Sequence, residues 1–203
     1  QVRGLLGEHG VVVPRDINRI RRTLSEIAEG RSGGFGGLFV EMLCDIREEL
    51  SELDARLAGY NQRIKSLYRS NEMCKRIGQI EGIGPITATA LVAAVGDKSC
   101  FRNGRQFAAW LGLVPKQHSS GGKARLFGIS KRGDRYLRTM LIHGARAVLG
   151  RSAGKTDTRS QWINRMRERR HPNVVAVALA NKNARIVWSL LSNDQEYSRG
   201  HMV

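Results

Sequence analysis

Phe39, Leu43, Ile46, Leu50, Leu53, Leu57, Tyr60, Ile64 and Leu67 follow one another at alternating spacings of four and three. A 3.5-residue period of apolar side chains lines one seam of an α-helix, and that seam stays in register only when the helix leans on a partner. The pattern runs for four heptads, with Glu, Arg, Lys and Asp between the apolar positions. It predicts one long coiled-coil helix over 38–70 and leaves no room for a strand there. The partner is either a second copy of the chain or another helix of the same one, such as the helix predicted near 15–29. Pairing of two or more copies through the 39–67 helix is the expectation drawn here.

The segments around that helix read as helical too. Residues 1–29 form two helical pieces, the second opened by Pro14 after Val11–Val13. Gly30–Gly37 holds five glycines in eight residues and is a linker. Beyond 73 the chain becomes a compact helical domain extending to 193, with a frayed tail over 194–203. In Ile77–Gly96 a short helix ends near Ile80, a Gly82-Ile83-Gly84 turn follows, and Pro85 starts an apolar helix running to Val95. This is a helix-hairpin-helix pattern. Its turn offers backbone N–H groups to an anion, so Gly82, Gly84 and Thr87 are candidate phosphate contacts. The other reading is a plain helical hairpin in a core. Phe101–Leu113 is a short helix with Phe107, Trp110 and Leu111 on its buried side. Pro115–Ile129 is a loop or hairpin, and Ser130 precedes or caps an amphipathic helix over Gly133–Leu149. Gly150–Thr158 is a second linker. Trp162–Arg170 is a basic helix, and Asn173–Leu191 is an apolar one that packs back on Gly133–Leu149. With no strand-rich region, the fold class is mainly α.

Charge divides the chain unevenly. Of the net +16 over 203 residues, residues 101–170 carry 17 basic and 3 acidic side chains, a net +14. Residues 1–100 hold 14 basic and 13 acidic side chains and are nearly neutral. A solvated face would balance its cations, and this segment does not. Phosphate is the usual reason to tolerate such self-repulsion, which points to a nucleic-acid partner. No uninterrupted apolar run approaches the roughly 18–20 residues of a membrane span, so no membrane is expected. Three well-separated cysteines, Cys44, Cys74 and Cys100, suit a reducing cytoplasm better than a disulfide scaffold.

The chemistry-bearing residues are few. His118, His143 and the cysteines lack zinc spacing, and only Asp134, Asp157 and Glu168 lie in the basic segment, so no metal site is expected. The stretch Gln117–Arg125 (QHSSGGKAR) offers Ser119 and Ser120 beside two glycines, with Lys123 and Arg125 following and Lys131, Arg132, Arg135 and Arg138 beyond. A serine attacks a phosphodiester only if its proton is removed and the phosphate charge neutralised. His118 is a candidate base and the cations are candidate neutralisers. From the residues alone, a loop that merely holds phosphate is the favoured reading.

The runs GIGPITATALVAAVGD (Gly82–Asp97), NGRQFAAWLGLVP (Asn103–Pro115), SSGG (Ser119–Gly122) and GISKRGDRYLRTMLIHGARAVL (Gly128–Leu149) closely resemble the C-terminal part of one family of bacterial insertion-sequence transposases. These are the DEDD/serine recombinases, which include Piv-type invertases and bridge-RNA-guided enzymes. The resemblance extends over nearly the whole chain. It implies a recombinase region in which Ser120, with Ser119 as fallback, is the nucleophile for DNA strand cleavage and exchange. It implies DNA and a structured guide RNA as partners. It also implies a RuvC-like N-terminal domain whose acids use magnesium, with no cofactor held by the present residues. The start at Gln1 leads to the expectation that this domain precedes the chain and that the 203 residues alone bind nucleic acid without recombining it. The competing functions are a non-catalytic helix-hairpin-helix DNA-binding module and a coiled-coil RNA-binding scaffold.

Overall fold

A computed structural model describes residues 1–31, 34–96, 100–120, 123–193 and 197. They fall into two compact units, Gln1–Gln62 and Arg63–Val203, the division lying within one long helix.

The first unit holds α1 (Val2–Glu8), α2 (Ile17–Ala28) and most of α3 (Gly37–Ser70). Helix α2 starts at Ile17 rather than at Pro14. The reason is local: the Asp16 carboxylate accepts the Asn18 N–H at 3.0 Å and caps the helix there. Leu6, Val13, Leu24, Ile27 and Leu43 form a small core, with Phe39, Ile46 and Leu50 packed against it. The first half of the α3 seam therefore leans on α1 and α2 of the same chain. Arg21 of α2 and Asp54 of α3 form an ion pair at 2.7 Å. Along the second half of the seam Leu53, Leu57 and Leu67 are 45–61% exposed.

The second unit is built around α9 (Pro172–Ser192), ten of whose side chains are buried. Helices α4 (Glu72–Gly78), α6 (Gly104–Trp110), α7 (Arg135–Gly150) and α8 (Thr158–Arg167) all pack on it, and α5 (Pro85–Val95) packs on α4 and α7. Helix α9 is long and apolar enough to pass for a membrane span, a property hidden from a search for unbroken runs by its Asn and Lys residues. Its apolar side chains are instead buried in the domain core, where Val175, Leu179, Ala180 and Val187 are each fully covered. Two predicted starts move for the same physical reason. Helix α7 is capped by Asp134, not Ser130, and α8 begins at Thr158 rather than Trp162 because Asp157 accepts the Ser160 N–H at 3.0 Å.

Pro115–Ile129 is a hairpin. Strands β1 (Pro115–Ser120) and β2 (Lys123–Ile129) pair antiparallel as a two-stranded ribbon. Ser120 stands opposite Lys123 at the end of the ribbon. Between Pro115 and Gln117 the register shifts by one residue, a bulge that increases local twist.

Candidate functional site

The candidates fall on three structural features: the ribbon, the joint at its base, and the turn between α4 and α5.

Ser120 is the last residue of β1, at the end of the ribbon farthest from its base, and Ser119 precedes it opposite Ala124. Residues two apart on a strand share a face. The register therefore groups His118, Ser120, Lys123 and Arg125 on one face and Gln117, Ser119, Ala124 and Leu126 on the other. For Ser119, Ser120, Lys123 and Ala124 the description stops at the backbone, and Gly121 and Gly122 lie outside the described residues. The His118 ring meets the Phe127 ring edge-on at 5.4 Å. Lys116, Gln117, His118, Arg125, Leu126 and Phe127 are all exposed. No carboxylate occurs between Arg102 and Gly133. Among the described residues, no group of three or more His, Cys, Asp or Glu side chains is placed to hold a metal ion.

The ribbon's base is pinned by backbone. Ser130 N–H donates to Val114 O at 2.8 Å and Lys131 N–H to Gly112 O at 3.2 Å. Gly112 has φ +69 and Gly133 φ +100, both left-handed. A Cβ at Gly133 would collide with the Trp110 carbonyl, and one at Gly112 with the Arg132 backbone. Only glycine lets the chain leaving β2 press this closely on the end of α6.

Arg138 holds the same joint from beneath. It is 8% exposed, and its Nη1 donates to Leu111 O at 3.2 Å, with Gly133 O and Asp134 O each at 3.5 Å. This corrects its placement among the surface polar positions and removes it from the candidate phosphate contacts, because its guanidinium is committed to three carbonyls. It lies beside Leu137 and Leu141 on the core side of α7. Lys131, Arg132 and Arg135 are exposed, as a phosphate contact requires.

The α4–α5 turn serves packing as well as any ligand. Gly82 has φ +90, and a Cβ there would lie 2.8 Å from the Gly144 carbonyl oxygen on α7. Asn183, fully buried on α9, donates to Glu81 O at 3.2 Å and accepts from Arg159 Nη2, so α8, α9 and the turn are tied together. Arg159 itself is 7% exposed, with Nη1 on the Tyr197 hydroxyl at 3.2 Å. Thr87 is 4% exposed within the core face of α5 and is likewise no surface contact, contrary to its reading from sequence. Gly84 differs from both. It is the N-cap of α5, has no side-chain cap, and open space surrounds the position of its missing Cβ. A cleft of about 240 Å³ beside the turn is lined by Gly82, Arg151 and Lys155, cations the sequence reading had left in a linker.

Burial lowers the affinity of the Lys182 amine for its proton, and the nearby Arg185 and Arg159 charges add to the effect. Lys182 Nζ sits over the Trp162 ring at 5.1 Å. Cys74 is buried, which raises its thiol pKa and leaves it an ordinary core side chain.

Residues 74–165 match the family described as "Transposase IS116/IS110/IS902 family". The chain is 50% identical over 201 residues to a "Probable family 20 transposase" of Pseudomonas aeruginosa, covering 98% of the chain and 60% of that protein. It is 42% identical over 200 residues to the "Transposase for insertion sequence element IS1111A" of Coxiella burnetii, covering 98% of the chain and 55% of that protein. It is 25% identical over 156 residues to the "Pilin gene-inverting protein" of Moraxella bovis, covering 75% of the chain and 46% of that protein. The chain thus spans 46–60% of the length of these three relatives.

Proposed function

From the match of residues 74–165 to the IS116/IS110/IS902 transposase family, we propose that the chain is the part of a DNA recombinase that grips DNA and supplies a serine nucleophile. The observation that carries the proposal is the register of the ribbon. Ser120 ends β1 on the face that also holds His118, Lys123 and Arg125, in a stretch without a carboxylate. Ser119 belongs to the opposite face of the register, which supports Ser120 over Ser119 as the nucleophile.

In this reading the Ser120 Oγ forms a new bond to phosphorus as the bridging bond to a sugar oxygen breaks. The serine proton leaves to a base, and the departing sugar oxygen takes up a proton. His118 lies two positions back along the strand, about 6.6 Å away, a span that one water bridges. Lys123 and Arg125 neutralise the charge that grows on the phosphate oxygens. Lys131, Arg132 and Arg135 continue the same surface and hold the backbone, and the α5 start at Gly84 offers uncapped N–H groups to a phosphate. Magnesium, implied by resemblance, would belong to acids of a RuvC-like domain outside these residues. No step is assigned to it here.

The longer protein also needs a way to bring two DNA partners together. The exposed seam from Leu53 to Leu67 suits pairing with a second copy, and a structured guide RNA would choose the target, because phosphate contacts carry no base code. Alone, the 203 residues bind DNA without exchanging strands.

The test is a covalent trapping assay with the longer protein on supercoiled plasmid, comparing Ser120→Ala with Ser119→Ala. The expected result is loss of the protein–DNA adduct in the first variant and its retention in the second. An adduct that survives Ser120→Ala leaves a non-catalytic DNA-binding module as the correct function. Strand exchange by the 203 residues alone would contradict the division of labour.

A further inference from the structure

The ribbon carries more than a serine. Within its own unit, β1 and β2 pair with each other, and both faces are open over Lys116–His118 and Arg125–Phe127. Large apolar side chains occupy successive positions of β2: Leu126 is 67% exposed and Phe127 is 54% exposed. Neighbouring strand residues point to opposite faces, so each face of the ribbon presents one of them. The His118 and Phe127 rings meet edge-on, and neither residue is part of the domain core. An uncovered ribbon with apolar residues on both faces is an aggregation hazard unless something occupies it.

The charge says what that is. Lys116, Lys123, Arg125, Lys131 and Arg132 lie on the ribbon or at its foot, with no acid among them. The occupant is polyanionic and has a concave apolar floor. A duplex groove has both properties: phosphates along its rims and base edges, including thymine methyl groups, along its floor. The B-form major groove is about 12 Å wide and admits a two-stranded ribbon, whereas the A-form major groove is too deep and narrow.

Resting on the DNA-binding reading above, we propose that the ribbon enters the major groove of B-form DNA, with the face that carries Phe127 turned to the base edges and Lys116, Arg125, Lys131 and Arg132 on the flanking phosphates. The ribbon then positions as well as binds. Its rigid base, pinned by Gly112, Gly133 and Arg138, fixes how deep the Ser120 end reaches.

The experiment uses the 203-residue chain and a 30-bp DNA duplex, with a 30-bp RNA duplex of the same sequence as comparison. Binding is read by anisotropy across a salt series, and major-groove occupancy by protection of guanine N7 from methylation. The probe variant is Leu126→Thr with Phe127→Thr, which places β-branched residues of high strand propensity at both positions. Its thermal unfolding is expected to match wild type, because neither side chain belongs to the core. Wild type is expected to protect N7 over about half a helical turn. The double variant loses that protection and about tenfold in affinity, with the salt slope unchanged because no charge is removed. Lys116→Ala or Arg125→Ala instead lowers the slope by about 0.9 each. Wild type that binds the DNA yet leaves N7 open overturns the groove inference while sparing the DNA reading. So does a double variant that protects N7 like wild type, or an RNA duplex bound equally tightly and released by the same variant. Wild type that binds no duplex DNA overturns both.

Discussion

Replacing Gly144 with alanine should damage the second unit out of proportion to its size. In an exposed helix interior, Gly→Ala normally gains about 1 kcal/mol. Here the new Cβ falls on the Gly82 backbone, striking its carbonyl oxygen and carbon and lying 3.3 Å from its Cα. Backbone atoms cannot rotate away as a side-chain end does, so the turn must lift from α7. Overpacking of this kind costs about 1–3 kcal/mol. Lifting the turn also uncovers part of Ile80 and Ile83, now 1% and 4% exposed and each worth about 1.5–3 kcal/mol when fully buried. Against the propensity gain, the net loss is about 2–4 kcal/mol. For a chain of this size that lowers Tm by about 5–15 °C. Gly150 is the internal control, since it ends the same helix and nothing lies within 4 Å of its missing Cβ. Circular dichroism melts of Gly144→Ala and Gly150→Ala give the answer. Equal stability of the two would refute the claim that the turn is seated backbone-to-backbone on α7.

Three other outcomes follow from contacts already described. Arg138→Met should cost about 2–3 kcal/mol in urea unfolding by stranding the Leu111 carbonyl. Asp157→Ala should cost about 1 kcal/mol through loss of the α8 cap. The hydrogen bonds from Ser160 hold the Asp157 carboxyl below its ordinary pKa, so its contribution is full above about pH 3.9 and fades as pH falls below that value, as acid-unfolding curves of wild type and variant will show. On the proposed pairing through α3, Leu57→Asp should shift the chain from dimer to monomer in light scattering while leaving its helix content unchanged by circular dichroism, because Leu57 is 59% exposed and lies outside the α1–α3 core.

The helices were legible in sequence because periodicity and caps are local. The heptad spacing located α3, and Pro85 located α5. What spacing left open was occupancy: the same seam is buried at Leu43 and 59% exposed at Leu57, since its partners α1 and α2 are short. Buried polar groups were the main gap. Arg138, Arg159 and Asn183 look like surface residues in a sequence, and only the fold shows them buried, with hydrogen bonds to backbone carbonyls and between Arg159 and Asn183. Thr87 was misread for a related reason, because a small hydroxyl on an apolar helix fits a core as readily as a phosphate site. The hairpin was half-visible. Gly-Gly marked a turn, but the pairing of Ser120 with Lys123, which separates the two serines by face, is a matter of register and needs the backbone.

The central claim concerns one oxygen atom, and mass spectrometry of the trapped adduct tests it most directly. Tryptic cleavage after Lys116 and Lys123 releases Gln117–Lys123, which contains both serines. Fragmentation of this peptide from the longer protein, after nuclease trimming of the DNA, should place the residual nucleotide phosphate on Ser120. A nucleotide on Ser119, or on any residue outside this peptide, would contradict the account.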